Sequence, residues 1–394
     1  MSTAPPSPWS IAQTVRQSPP IDLTKPYDPS TLRDKTVLIT GGANGLGAHM
    51  ARRWASHGAH IIIGDTDSRS GEALVAQLRA LHPPPSAFAH VPCDVTSWDD
   101  QTALFDAAVR LSPNHRIDVV VPNAGVIRPR DGHAFENPSL VRGKLPPPST
   151  ATIDVNITGV MYTVHLALHH FSRQQDRGSP GTAAATTTNC LLLIGSIASV
   201  APLAGQAHYT MTKHAVCGLF RSLRTTSFAQ RGRLRVNMLA PYFVEQSRML
   251  PLVADVAFLA GTAGGATIPD VVDAATRLVA DESISGRSLA VGPPLRDAPD
   301  GEIPVAEHEG GGRGRAAWEM YAHDYREVDA FTFRYVHMMN RVTQLRGLVA
   351  LFLDVVSKIL RALTRRGTVT GEPGQQGKRN ETRPEDEHAK QPVR

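Results

Sequence analysis

The feature that most constrains this chain is Thr40-Gly41-Gly42-Ala43-Asn44-Gly45-Leu46-Gly47. It lies between the apolar run Val37-Leu38-Ile39 and a helix-favouring stretch from Ala48 to Ala55. A strand, a glycine-rich turn and a helix together make a cradle for phosphates. Glycine lets the backbone turn sharply and approach a diphosphate, and the free N–H groups at the helix start point at its charge. The same pattern also serves as an ordinary strand-to-helix turn, so the rest of the chain has to decide between the two.

From Thr36 onward, apolar runs of strand length alternate with helical patterns. That alternation predicts an α/β fold: a doubly wound, Rossmann-like parallel sheet with helices on both faces. Strands are expected at 37–39, 59–64, 87–92, 117–121, 191–194, 234–239 and 287–291. Helices are expected from 48 to about 57 and over 71–81, 97–110, 152–173, 209–230 and 269–280. Segment 128–150, with three consecutive prolines, reads as a long loop. Segment 174–189 reads as a polar surface excursion, and 242–266 as glycine-rich and irregular. One catalytic domain is thereby expected over 36–300, behind an irregular Pro/Ser-rich leader at 1–35. Beyond it, 301–366 reads as a linker and helical extension: linker composition over 301–315, helix over 318–339 and an amphipathic helix over 342–363. The tail, 367–394, is polar and expected to be disordered.

Charge sharpens this division. The 394 residues carry a net charge of +5, and residues 341–394 hold eleven Lys/Arg against six Asp/Glu. The first 340 residues hold thirty of each, so the basic character belongs to the tail and a nucleic-acid groove in the body is disfavoured. Cys93, Cys190 and Cys217 are widely spaced, which argues against a disulfide framework or a zinc site and suits a reducing compartment. The chain shows no secretory signal and no apolar run of about 18 residues, so a cytoplasmic location is expected. The 342–363 helix admits three readings. Its apolar side docks on the domain or a second subunit, lies at a membrane surface under its Lys/Arg-rich face, or binds a partner in the manner of a calmodulin target.

Asp65 ends the second expected strand, eighteen residues after Gly47. A carboxylate there accepts hydrogen bonds from adenosine ribose hydroxyls and repels a 2′-phosphate, and its neighbours Thr66 and Asp67 bring no cation. NAD is therefore expected over NADP. Tyr209 and Lys213 stand four apart, on one face of a helix. A phenol near pKa 10 is a poor base at neutral pH, and a nearby ammonium favours the phenolate. Ser196, at the end of an apolar strand, can hold a carbonyl or hydroxyl oxygen beside that phenol. His165, His169 and His170 share a helix but lack the glutamate of a zinc-binding HExxH motif. His208 either faces away from Tyr209 or lines a substrate mouth, and Cys217 reads as core.

These motifs together resemble the short-chain dehydrogenase/reductase family. Its TGxxxGxG pattern matches Thr40 to Gly47, with Gly41, Gly45 and Gly47 as the glycines. Its adenine-side aspartate matches Asp94 with Val95 following, and its NAG motif matches Asn123-Ala124-Gly125. Its active-site asparagine, serine and YxxxK match Asn156, Ser196, Tyr209 and Lys213. The resemblance implies Tyr209 as general acid/base and Lys213 as the residue that holds the nicotinamide ribose and lowers the tyrosine pKa. It implies that Ser196 orients the reacting oxygen and that Asn156 holds a relay water. Asn44 and Leu46 of the cradle are expected at the cofactor, and Val244 at the carboxamide. A small-molecule substrate is implied, with assembly as a homodimer or homotetramer.

The phrasing around 145–148 and 159–162 is similar to fungal members grouped near 15-hydroxyprostaglandin dehydrogenase, many of which act on secondary metabolites. Tyr242 stands where the family has a glycine, and Gln246 stands near its usual threonine. That departure supports an alternative, a catalytically vestigial cofactor-binding interaction protein. Apolar residues dominate the loops at 198–208 and 242–268, which suits a hydrophobic or aromatic substrate.

Overall fold

The computed structural model describes residues 17–82, 84–177, 188–201, 203, 205–226, 234–245, 264–296, 305–306, 314–320 and scattered residues between 334 and 356. In chain order, β1 (Thr36–Thr40), α1 (Gly45–Ser56), β2 (His60–Asp65), α2 (Ser68–Leu81), β3 (Phe88–Pro92), α3 (Trp98–Leu111) and β4 (Val119–Pro122) form the first half. The second half holds α4 (Pro129–Glu136), a helical turn at Ala151–Ile153, a π turn at Asp154–Gly159, α5 (Val160–Arg177), β5 (Asn189–Ile194), α6 (Ala207–Thr226), β6 (Leu234–Pro241), α7 (Ile268–Ala280) and β7 (Ser288–Arg296). Two short strands, β8 (Val305–Ala306) and β9 (Arg315–Met320), follow.

Strands β1 to β7 pair in parallel in the order β3-β2-β1-β4-β5-β6-β7. Successive side chains of a strand point to opposite faces, and here both faces are covered. Val37, Ile39, Ile61, Ile63, Val119 and Val121 enter one core with Met50 and Trp54 of α1, Leu78 of α2 and Leu278 of α7. Leu38, Ile62, Val120, Leu191 and Leu193 enter the other with Phe105 of α3, Phe171 of α5 and Phe220 of α6. The strand order reverses between β1 and β4, so a crevice opens at their carboxyl ends, where ligands of such sheets sit.

Several expectations change. Segment 128–150 is not a plain loop: it holds α4 and a bridge between Val141 and Lys144. The single helix expected over 152–173 is divided by the π turn and runs to Arg177. Residues 315–320, expected as linker end and helix start, form a strand antiparallel to β7, with Trp318 opposite Ala290 and Met320 opposite Ser288. Sheet structure therefore continues past the expected boundary at 300.

The leader also joins the body from residue 17 onward. Leu32 is fully buried, Arg277 stacks on the Tyr27 ring with 4.7 Å to its centroid, and the Tyr27 hydroxyl donates to Asp273 Oδ1 at 2.7 Å. Arg287 donates from Nε and Nη2 to the Ser18 carbonyl and pairs with Glu319 of β9 at 3.0 Å.

Residues 178–187, 246–263 and 367–394 lie outside the described residues. The chain divides into two compact units, Met1–Val336 and His337–Arg394. Within the second, the described residues 338, 341, 345, 347, 349, 352, 353 and 356 are helical, and Leu345, Val349 and Phe352 are exposed. No described helix is long and apolar enough to cross a membrane.

Candidate active site

The cradle folds around close backbone approaches. Gly41 takes φ +64° and donates its N–H to the Gly64 carbonyl at 2.7 Å. A Cβ on Gly47 would sit 2.3 Å from the Gly41 carbonyl oxygen and 2.8 Å from Asn123 Nδ2, so no larger residue fits where α1 begins. Asn44 occupies the N-cap of α1 but makes no side-chain cap bond there. Its amide donates instead to Asp67 Oδ2 at 2.9 Å. Asp65 accepts the Ala43 N–H at 2.9 Å and the Asp67 N–H at 3.0 Å, which ties the end of β2 to the turn. The Ser70 N–H and hydroxyl, then the Asn44 amide, hold the exposed Asp67 carboxyl down at about 2.

The end of β4 closes the other side. Asn123 Nδ2 donates to the Thr40 and Gly41 carbonyls at 3.1 and 2.8 Å, and the Asn123 and Ala124 N–H groups reach Thr40 Oγ1 at 3.1 and 3.3 Å. Asp94 accepts from the Thr96 N–H and hydroxyl at 2.9 and 2.8 Å, which fixes the turn leading into Val95. Buried Gln101 donates to the Val95 and Gly159 carbonyls at 2.6 and 2.9 Å and accepts from Thr163 Oγ1 at 2.7 Å. That amide couples the Asp94–Val95 turn to the π turn, and nothing in its spacing marked it in the sequence.

The π turn carries Asn156, which is 1% exposed. Asn156 Oδ1 accepts the Val126 N–H at 2.8 Å, and Nδ2 donates to the Val126 carbonyl at 2.8 Å and to Thr212 Oγ1 at 3.2 Å. Single π turns recur at functional sites because the extra residue re-aims a side chain. Thr212, between Tyr209 and Lys213, thereby joins Asn156 to α6.

Ser196 ends β5 and caps the 3₁₀ turn Ile197–Ser199, its hydroxyl accepting the Ala198 N–H at 3.2 Å and donating to the Pro241 carbonyl at 3.4 Å. Ser199 Oγ donates to the Lys213 carbonyl at 2.9 Å, which binds that turn to α6. Tyr209 and Lys213 are both buried, with the ammonium 5.7 Å from the phenol ring centroid. Lys213 Nζ donates to the Ile194 carbonyl at 3.0 Å.

Burial pushes the Tyr209 phenol up, and the Ser196 hydroxyl pulls it partly back. Burial also pushes Lys213 down, to about 8. The expectation that Lys213 lowers the phenol is thus not met within the protein alone. The ammonium donates to the Ile194 carbonyl, and desolvation is the largest influence on both groups.

A cleft of about 540 Å³ joins these parts. Gly41, Asn44, Gly45, Leu46, Asp65, Asp94, Val95, Asn123, Ala124, Gly125, Ser196, Tyr209, Lys213 and Val244 all line it. Gly47 and Asn156 are not among the residues that line it. Thr66, Cys93, Val126, Ile127, Val155, Ile194, Gly195 and Ile197 also line it and carry no motif by which the sequence shows them, and Pro241, which precedes the altered family glycine, lines it too. Val244 is held in place by a bridge to Ala266. Cys217 is buried, as expected, and Cys93, Cys190 and Cys217 form no disulfide. His208 does not line the cleft: it is buried, with its ring 4.4 Å from that of Phe135 in α4. No group of three metal-ligating residues occurs among the described residues.

The residues present fit a nicotinamide dinucleotide. The Gly47 close approach leaves room for a diphosphate, the Asp65 carboxylate lines the cleft at the end of β2 where it can accept from ribose hydroxyls, and of the three Lys213 N–H donors the protein uses one, on Ile194. A parallel doubly wound sheet with this cleft defines a dinucleotide-dependent oxidoreductase, and the chain belongs to the short-chain dehydrogenase family. The family model, described as short chain dehydrogenase, matches residues 35–255.

Among curated proteins, a 5′-hydroxyaverantin dehydrogenase of Emericella nidulans is 35% identical over 70% of this chain and 88% of its own length. A protein of the same name in Dothistroma septosporum is 33% identical, over 68% and 87%. An NADP-dependent dehydrogenase of Cochliobolus lunatus is 31% identical, over 69% and 93%. A 3-ketoacyl-(acyl-carrier-protein) reductase of Brucella melitensis, solved with NADH, shares the fold with a TM-score of 0.52 at 24% identity, over 66% of this chain and 98% of that one. The chain is accordingly an oxidoreductase acting on a CH–OH group with NAD or NADP.

Proposed function

We propose that this protein interconverts a secondary alcohol and a ketone on a hydrophobic or aromatic substrate, preferring NAD, with Tyr209 as general acid/base. The observation that carries the reading is the joint burial of Ser196, Tyr209 and Lys213 at one end of a cleft whose other end holds Asp65. When bound, the dinucleotide supplies the hydride acceptor or donor. The Ser196 hydroxyl holds the substrate oxygen. Tyr209 takes the alcohol proton as the carbonyl forms, or returns it in the reverse direction. Lys213 holds the ribose hydroxyls with its remaining donors, and Asn156 fixes the backbone beside it through Val126.

The NAD preference rests on the paired carboxylates Asp65 and Asp67, with Asp67 ionised throughout the physiological range. A second reading, NADP use, draws on the NADP-dependent relative from Cochliobolus and on Arg69, whose charge reaches Asp67. The names of the fungal relatives also support a place in secondary metabolism.

Parallel assays with NAD and NADP on a panel of secondary alcohols, followed at 340 nm, test all of this. The expected result is turnover with NAD that falls about 10²- to 10⁴-fold in Tyr209→Phe while dinucleotide affinity stays within a few-fold. Retained activity in that variant refutes the role of Tyr209. No absorbance change with any alcohol at any pH favours the vestigial, cofactor-binding alternative.

A further inference from the structure

We propose that Tyr242 is the specificity-determining residue of the substrate half of the cleft, a fixed aromatic platform that selects planar aromatic substrates. The proposal rests on the oxidoreductase reading above and names the substrate class for that same site. Tyr242 directly follows Pro241, whose carbonyl accepts the Ser196 hydroxyl at 3.4 Å, so the platform begins one residue from the group that orients the reacting oxygen. The Tyr242 N–H donates to the Val291 carbonyl at 2.8 Å, which pins its backbone to β7.

The ring is also seated. A Cβ at Gly292 would lie 3.1 Å from Tyr242 Cδ2 and 3.3 Å from Cε2 and Cγ, so the ring rests on the bare backbone of Gly292 and any side chain there would push it away. The ring nevertheless remains 39% exposed and lines the cleft. A ring supported from behind and open in front is preorganised: a second ring stacks on it without further ordering of the side chain.

The surrounding chemistry agrees. Near Ser196 and Tyr209 the wall is apolar, from Ile127, Val155, Ile197 and Leu203, and Lys213 is the one Lys or Arg among the described lining residues. Asp65 and Asp94 belong to the dinucleotide end. Among the described lining residues a phosphate or carboxylate on the substrate finds no cation besides Lys213, whereas a flat apolar ring system finds a matching surface.

The test uses the full-length chain and the variants Tyr242→Phe and Tyr242→Leu. Two secondary alcohols of similar bulk, 1-(2-naphthyl)ethanol and 1-cyclohexylethanol, are compared by kcat/KM at saturating dinucleotide, with the KM for NAD measured alongside. Binding of 2-acetonaphthone by calorimetry gives a readout that needs no turnover. The platform predicts that Tyr242→Leu lowers the naphthyl-to-cyclohexyl ratio about fivefold to tenfold and weakens 2-acetonaphthone by a similar factor. Tyr242→Phe keeps the wild-type ratio.

Equal losses for both alcohols, or unchanged 2-acetonaphthone binding in Tyr242→Leu, overturn the proposal. So does a rise in the KM for NAD with the ratio unchanged, since the ring would then face the dinucleotide. If the wild type oxidises neither alcohol, ketone binding by the wild type and Tyr242→Leu still decides whether Tyr242 is an aromatic platform, and the wider alcohol panel separately decides the alcohol–ketone reading of the site.

Discussion

Lys213 shows how the site is built against the grain of stability. Burial holds its pKa at about 8, below the ordinary 10.5. Below about pH 8 both folded and unfolded chains carry the charge, and the folded state bears the full desolvation cost, on the order of 3 kcal/mol for this displacement. Between about 8 and 10.5 the unfolded chain binds the extra proton, so stability rises with pH across that window. Lys213→Met is therefore expected to lose turnover yet melt higher than wild type at pH 7, with the difference gone above about pH 10.5; calorimetry across pH checks it.

Tyr209 sets the kinetic counterpart. Burial raises its phenol above the usual value near 10, so the neutral form, the proton donor, prevails at neutral pH in the free protein. Oxidation, which needs the phenolate, is expected to accelerate toward alkaline pH in kcat/KM. Ketone reduction should stay flat through neutrality. A bell centred near pH 6 for oxidation would contradict this. Both residues were legible in the sequence through their spacing of four. Their burial was not, because it depends on β5, β6 and the 3₁₀ turn closing around α6.

At the scale of elements, α4 and α6 form an unexpected pair. Glu136, at the end of α4, accepts the Ala207 N–H at 2.9 Å where α6 starts, two residues before Tyr209. Phe135 packs on His208, and Gly132 leaves room for the Gly205 carbonyl, 2.9 Å from where its Cβ would be. A carboxylate at a helix start satisfies an N–H and complements the dipole. Glu136→Ala is expected to cost about 1 kcal/mol and lower the melting temperature by roughly 2–4 °C, whereas Glu136→Gln, which keeps the acceptor, costs less. Calorimetry of the two variants separates them, and equal losses would argue that the charge rather than the hydrogen bond matters.

The sequence hid α4 for a physical reason. Its eight residues include a proline, a glycine and a largely exposed Phe135, so it carries no apolar stripe. The π turn hid for another: its extra residue falls inside a pattern that otherwise reads as one continuous helix. Strands β1, β2, β4, β5 and β6 were plain because buried parallel strands are nearly unbroken apolar runs.

For the whole molecule, the decisive element is β9. It covers the edge of β7 and brings Glu319 to Arg287, which is 3% exposed, while the Ile21 N–H donates to the same carboxylate at 3.3 Å. Three distant stretches of chain thus meet at one ion pair. A chain ending at 314 would leave a buried guanidinium without its carboxylate and a bare strand edge, both costly. It is expected to aggregate or melt many degrees lower. A chain ending at 336 keeps β9 and is expected to retain its melting temperature and turnover, as thermal scans and NADH assays would show. The same shortened chain tests membrane association: if it sediments with anionic vesicles as the full chain does, the 342–363 segment is not the contact.

By itself, the sequence determined the parallel α/β class, the glycine turn after β1, the placing of Asp65 at the end of β2 and the Ser196, Tyr209 and Lys213 group. Each of these is written in residues close along the chain: glycine spacing, apolar runs, a four-residue step on a helix. Only the tertiary structure decided the rest. Whether Arg315–Met320 is helix or strand depends on the open edge of β7. Gln101 matters because the Val95 and Gly159 carbonyls come within reach of one amide, and Tyr242 becomes a platform because Gly292, fifty residues on, leaves its ring a flat seat. Local propensity cannot encode such meetings, because the energy that selects them arises between segments that touch only after the sheet has formed.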